Sequence, residues 1–458
     1  MNFSVKKLEQ TLLRPVDASS LGLFRVLFGL LMCAQVFFCF DGNFVAENFS
    51  KAHFHFPFRL FEVLHLPYLT PLAANLLFQI MGIATLGIAA GLCFRLSIVI
   101  FLSGFLYMFL SEKSLSNDYY YLILLISFLL CFTGANQWPA LNNLRLRTIK
   151  DQTVPFWQIL ILRLQFIIIY FYSTLSKASY DWLVLAQPLR HMLSGRELFG
   201  FPLNELWIAY FLSYAAIILD FLIVVLLLAG RHRWMAFLCI FIFNGTNMFL
   251  FNDIELFPFL MLAAIPIFLD PDQPRRFFAK IGNSWGRSKT EEARGQKQLS
   301  MSPRCGNIVC LFLCGYLGIQ ILVPLRHWMY PQNPAWSYEG SRFSWRLKIN
   351  MKLVKMDIVV KDPRTQRIFH ISHQKFVTPR QLWLDNIPDM LLQFVQQLEG
   401  EMKKLGVKNP QIQVDAVASL NNRPFQTYID PRFDLLKEKY PLFSHARWIA
   451  PLHNDAGF

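Results

Sequence analysis

Nine apolar runs separated by short charged loops fill the first 325 residues, a series that restricts the chain to a lipid environment. They fall near Leu21–Phe40, Leu72–Cys93, Leu96–Leu110, Tyr119–Phe132, Trp157–Leu175, Leu206–Leu228, Trp234–Phe251, Leu256–Leu269 and Asn307–Leu325. About twenty apolar residues in a helix cross a hydrocarbon core of ~30 Å, and a helix satisfies its own backbone there. The third, fourth and eighth runs are short, and the last two leave room for tilting or a break. Composition agrees: 54% of the chain is hydrophobic and only 16% charged. The first run follows about twenty mixed residues and is too long for a signal core, so a signal anchor is expected.

Loop charges set an orientation. One set of loops carries Lys6, Lys7 and Arg14, then Arg95, then Arg145, Arg147 and Lys150, then Arg231 and Arg233, and finally a basic stretch after Asp270. The opposite set holds Glu112 and Asp118, then Asp253 and Glu255. The first set is expected in the cytoplasm, which puts the amino terminus inside and, after nine crossings, the carboxyl-terminal segment outside. The net charge of +14 is thereby absorbed by topology. No phosphate-binding glycine loop, zinc spacing or nucleic-acid motif accompanies it, so neither nucleic acid nor a metal is expected as a ligand. All eight cysteines precede Tyr316 in or beside apolar segments and read as buried thiols.

From Arg326 onward the composition changes. Arg346–Asp362 alternates polar and apolar residues as a half-buried strand does, and Arg367–Ser372 and Ile412–Ser419 are similar. Pro388–Leu405 has helical spacing, with proline in its first turn and Gly406 just past its end. The expected architecture is an α-helical multi-pass membrane bundle of about nine spans (1–325, with a basic cytoplasmic linker at 270–305). A small mixed α+β extracytoplasmic domain (326–458) follows it. The basic stretch Arg275–Arg304 reads as disordered.

Four charged residues lie within or at the ends of the spans: Arg25, Arg163, Lys177 and Asp220. Such residues face a partner inside the bundle. Arg25, Arg163 and Asp220 read as structural ion pairs, with Asp220, the one acid deep in a span, the natural partner of an arginine. Lys177 sits at the outer end of the fifth span, roughly 20 Å along that helix from Arg163. Asn117, Asp118 and His327 belong to the same side. By spacing alone Lys177 reads first as a snorkelling anchor. The alternative is a free amine acting as a base, since an apolar pocket disfavours a lysine's charged form.

The order of several short motifs resembles the vitamin K-dependent γ-glutamyl carboxylases and their bacterial relatives with the horizontally transferred transmembrane domain. These are Arg14-Pro-Val-Asp-Ala-Ser-Ser-Leu, Leu23-Phe-Arg-Val-Leu-Phe-Gly, Gly91-Leu-Cys-Phe-Arg-Leu-Ser, Gly134-Ala-Asn, Leu162-Arg-Leu-Gln, the Tyr170–Trp182 run and Leu262-Ala-Ala-Ile-Pro-Ile-Phe. Phe343-Ser-Trp-Arg, Pro410-Gln-Ile and Phe425-Gln-Thr-Tyr-Ile-Asp-Pro-Arg extend the series to the end of the chain. The resemblance implies a carbon–carbon lyase that uses reduced vitamin K (menaquinol or phylloquinol), with oxygen and carbon dioxide as co-substrates. An amine base deprotonates the hydroquinone, oxygen adds, and the strong base so formed takes a γ-proton from a protein-bound glutamate that then captures carbon dioxide. The quinone leaves as its epoxide.

The resemblance also implies residue roles. Lys177 falls on the catalytic lysine, Asn117 on an asparagine near the quinone, and Phe257 and Met261 on apolar pocket positions. Trp345 and His327 match the outer segment, Trp345 beside the glutamate-binding region. Membrane lipids and a glutamate-containing protein or peptide are the implied partners. Four departures stand out. Asp118 and Asn244 occupy positions where histidine is usual, so Asp118 either holds Lys177 as a cation or is itself a proton acceptor. The family's disulfide positions, near His55 and at Gln397, lack cysteine. The likeness ends near Trp448-Ile-Ala-Pro-Leu, where animal enzymes continue, and this short form implies a bacterial inner-membrane relative with menaquinol to hand. The competing readings are a quinol epoxidase or oxidase uncoupled from carboxylation, and a non-catalytic membrane relative.

Overall fold

The computed structural model describes residues 2–41, 44–50, 52–139, 152–198, 200–251, 254–282 and 303–453. The loop charges Arg145, Arg147, Lys150 and Asp253, and the linker residues 283–302, lie outside the described residues. Helix α1 (Asn2–Leu13) leads into strand β1 (Pro15–Asp17) and then into α2 (Ser19–Asp41). Helices α3 (Pro71–Ala90), α4 (Phe94–Ser111) and α5 (Asp118–Cys131) follow, then β2 (Thr153–Pro155), which pairs antiparallel with β1. The remaining helices of the bundle are α6 (Phe156–Lys177), α7 (Leu206–Ala229), α8 (Arg233–Leu250), α9 (Phe257–Ala263), α10 (Ile265–Phe268), α11 (Gln273–Gly282) and α12 (Pro303–Leu325).

Local chemistry sets the ends of these helices. Thr70 caps α3 by accepting from the Ala73 N–H, Pro71 begins it, and Gly91 ends it with φ 69°. Asn117 caps α5 by accepting from the Tyr120 N–H at 2.7 Å. Among the described residues seven helices (α2, α3, α4, α6, α7, α8 and α12) are long and apolar enough to cross a membrane. The expected count of nine is therefore not established. The fourth expected span, α5, has 14 residues, about 21 Å of helix against a core of ~30 Å. The eighth is broken into α9 and α10, where Pro266 begins a new helix because proline cannot donate to the preceding turn. The stretch expected to be disordered from Arg275 starts within α11, which carries Arg275, Arg276 and Lys280.

Beyond α12, strands β3 (Lys352–Lys361) and β4 (Ile368–Ile371), helix α13 (Pro388–Lys404), and strands β5 (Gln411–Leu420) and β6 (Gln426–Ile429) form an antiparallel sheet of order β4-β3-β5-β6 with one covering helix. Ile412, Val414, Ala416 and Ala418 alternate inward from β5 to meet Leu391, Phe394, Val395 and Leu398 of α13. The strand expected over Arg346–Asp362 begins only at Lys352. Phe343, Trp345 and Lys348 have φ of 63°, 55° and 49°, left-handed values that a strand excludes. Phe54 and Phe56, from the loop before α3, are buried in this outer core, each adding roughly 1.5–3 kcal/mol to the hold between loop and sheet.

Candidate active site

Lys177 ends α6, one turn after Ser173 on the same face. Its Nζ donates to Asp220 Oδ2 of α7 at 2.7 Å and to Ser173 Oγ at 2.5 Å, while Ser173 Oγ donates to the same Asp220 oxygen at 2.7 Å. Asp220 is 0% and Lys177 4% exposed, so the pair is shut off from bulk water. These two bonds leave one further position on Nζ. The rings of Trp182 and Phe243 lie 5.5 and 5.6 Å from Nζ, within cation–π range. Trp182 is itself fixed, its Nε1–H donating to Ser213 O at 2.8 Å. Asp220 Oδ1 has no hydrogen-bond partner among the described residues.

Lys177 opens on a cavity of about 1720 Å³ that reaches from the helices into the outer domain. Asn117, Asp118 and Phe257 line it as well. Asn117 spends its side-chain oxygen on capping α5. Asp118 feels the charge of Arg346, so the carboxylate on Lys177 is Asp220 and not Asp118. Met261, Trp345 and His327 do not line the cavity. Met261 is buried in the helical core. Trp345 is fully buried with its ring 5.1 Å from that of Tyr121. His327, half-buried, has Nδ1 2.7 Å from Pro324 O.

At the outer end the wall carries cations. Arg342 and Lys113 share Asp389, at 2.7 and 2.9 Å. Although burial pushes the Asp389 carboxyl up, these two cations hold it down at about 2. Arg380 pairs with Glu255 at 3.4 Å. Lys352 has no acid at all among the described residues. Its Nζ donates to Trp336 O, Asn386 O and Tyr428 Oη at 2.7, 2.9 and 2.9 Å, and burial pushes it well below the usual lysine range.

The arginines expected to pair with Asp220 bind backbone carbonyls. Arg25 donates to Ile88 O at 2.5 Å, Ala89 O at 2.8 Å and Ala135 O at 3.1 Å, and also to Pro139 O. Arg163 donates to Ile267 O and Leu269 O at 2.7 and 2.9 Å. Ile88, Ala89, Ile267 and Leu269 stand at helix C-terminal ends, where carbonyls lack partners within the helix and carry partial negative charge, so four bonds from Arg25 and two from Arg163 are made without an acid. Asn244 donates to Ile240 O at 2.8 Å and Tyr170 Oη at 3.3 Å. Where the resemblance puts a disulfide, His55 N–H donates to Gln397 Oε1 at 3.2 Å and Gln397 Nε2 donates back to His55 O at 2.7 Å.

The family model of the HTTM domain matches residues 13–273, and that of the vitamin K-dependent gamma-carboxylase lumenal domain matches residues 305–455. The chain belongs to the vitamin K-dependent gamma-carboxylase family. It is a gamma-carboxylase-like multi-pass membrane protein with a lumenal-type domain. No solved structure matches it. Within this family member, Ser173, Trp182 and Phe243 surround the lysine without having been singled out from sequence. Only Ser173 left a signal there, its spacing of four residues from Lys177. Among the described residues, no group of three or more His, Cys, Asp or Glu could hold a metal ion.

Proposed function

We propose that this protein is a vitamin K-dependent γ-glutamyl carboxylase in which Lys177 is the base. The observation that carries the reading is the placement of Lys177: an enclosed amine at the end of α6, held by Ser173 and Asp220, facing a cavity that both units line. The helical unit, 1–325, supplies the base, and the unit 326–458 supplies the substrate-facing wall.

The cavity suits a lipophilic hydroquinone. Phe211, Ile218 and Ile242 line it from α7 and α8 and are exposed, an apolar flank that supports entry of an apolar ring and tail between the helices. Its volume exceeds the ~300–1,000 Å³ of a pocket for one small ligand, leaving space for a glutamate side chain beside the quinone. Phe257 and Asn117 would face menaquinol or phylloquinol. When bound, with oxygen and carbon dioxide, that group supplies the strong base for the glutamate γ-proton and ends as the epoxide. Lys177 Nζ takes up a proton in the cavity, and Asp220 at 2.7 Å stabilises the ammonium so formed. The outer-end cation Arg346, which lines the cavity, draws the glutamate carboxylate of a protein or peptide substrate inward. Asp118, acting on Arg346, positions that wall. We assign the wall to the extracytoplasmic side of a bacterial inner membrane.

The test uses detergent-purified protein with reduced vitamin K, oxygen, labelled bicarbonate and a glutamate peptide in one tube. Epoxide together with peptide-bound label supports the carboxylase. Epoxide without label replaces it with an uncoupled quinol epoxidase. Neither product, from folded protein, leaves a non-catalytic relative.

A further inference from the structure

We infer that Asp181 is a positioning residue through which the outer sheet holds Trp182 against Lys177. The functional consequence rests on the proposed role of Lys177; the geometry does not. Four residues after the lysine, in the short helical turn Tyr180–Leu183, Asp181 is gripped by the turn that joins β5 to β6. Arg423 forks onto it, Nη2 to Oδ1 at 2.5 Å and Nη1 to Oδ2 at 2.7 Å, and Asn421 Nδ2 donates to Oδ2 at 2.5 Å. The carboxylate and guanidinium are 12% and 13% exposed, so the pair is a largely desolvated, bidentate one of the strong kind.

The same turn also grips the cavity wall. Asn421 Oδ1 accepts from Met351 N–H at 2.8 Å, and Asn421 N–H donates to Met351 O at 2.8 Å. Asn421 and Asn422 have φ of 51° and 64°, a tight conformation that presents Arg423 in one direction. On the other side of the contact, Trp182 is one peptide from Asp181. Its carbonyl accepts from Ser213 Oγ at 2.6 Å, and its side chain clusters with Ile349, which lies between the wall residues Lys348 and Asn350, while its ring covers Lys177 Nζ at 5.5 Å. The sheet turn, Asp181, Trp182 and Lys177 thus form one contiguous set of contacts, the condition for transmitting a shift at one end to the other.

The experiment measures acylation of Lys177 by acetyl N-hydroxysuccinimide on the full chain in detergent, read by peptide mass spectrometry across pH 7–10, with Lys113 as the internal reference. Asp181→Asn and Arg423→Asp are expected to accelerate labelling of Lys177 roughly 2- to 30-fold, to alter its pH profile and to leave Lys113 unchanged. The swap Asp181→Arg with Arg423→Asp is expected to return the wild-type rate. Unchanged labelling in both single variants would overturn the inference, as would equal acceleration at Lys113, which would mean general loosening, or a swap that restores nothing. No quinone or glutamate takes part, so a failure of the carboxylase reading leaves this result interpretable.

Discussion

Two of the buried lysines that line the cavity, Lys177 and Lys352, differ in kind in their surroundings. Lys177, at the membrane end, meets a carboxylate and a hydroxyl; Lys352, at the outer end, meets two carbonyls and a phenol. Both are buried and hydrogen-bonded, so depth of burial does not separate them. The acceptors do. A carboxylate at 2.7 Å stabilises an ammonium by charge and can exchange a proton with it, whereas a carbonyl can only be bonded. Of these two, Lys352 therefore reads as a structural amine that ties three strands of chain together, and Lys177 as the one fitted for proton transfer.

Substituting each lysine tests that contrast most severely. Lys177→Ala is expected to remove epoxide formation by about 10²–10⁴-fold, measured chromatographically, with the fold kept because Asp220 can take a proton instead of remaining a buried charge. Lys352→Met is expected to leave epoxide formation within a few-fold, and equal losses from the two would end the distinction. Next in size, Asp220→Asn keeps the shape and removes the charge, and a fall of about 10² in rate is expected; an unchanged rate would make the carboxylate a mere packing group. Lys352→Met acts instead on stability, where two carbonyls left unsatisfied should lower the unfolding free energy by about 1–3 kcal/mol.

The pH dependence sharpens the same point. Because burial pushes folded Lys352 well below the usual lysine range, the unfolded chain binds more protons between that depressed value and ~10.4. Stability of the outer domain therefore rises with pH across this window, and Lys352→Met should flatten the rise in a series of thermal melts. The smallest expected effect belongs to Tyr428→Phe. It removes one acceptor but keeps the ring 4.3 Å from Nζ, so a loss of about 0.5–1.5 kcal/mol with unaltered epoxide formation is expected.

Much of the outer domain could be read along the chain because its elements alternate locally. The helix expected over Pro388–Leu405 forms as Pro388–Lys404, and the strand expected over Ile412–Ser419 forms as Gln411–Leu420. The turns before Lys352 could not be read, since their left-handed residues Phe343, Trp345 and Lys348 are not glycines and give no turn signal. Apolar runs located helices but not their depth, hence the 14-residue α5 and the helix broken at Pro266. Lys177 was visible as an oddity of composition, and its partner was not. Asp220 lies 43 positions away in sequence, and nothing local separates it from a partner for Arg25 or Arg163, whose needs are met by helix-end carbonyls that sequence does not display.

The two-way bond between Gln397 and the His55 backbone has a consequence for how the molecule is assembled. A sulfur bridge at that seam would have to wait for an oxidant and could be undone by any thiol of sufficient reducing power. An amide clasp closes as soon as the two segments meet, and neither oxidant nor reductant acts on it. The docking of the N-terminal loop onto helix α13 is thus independent of the redox state of its compartment, and at this seam the chain can complete its fold on either side of a membrane where thiols are kept reduced.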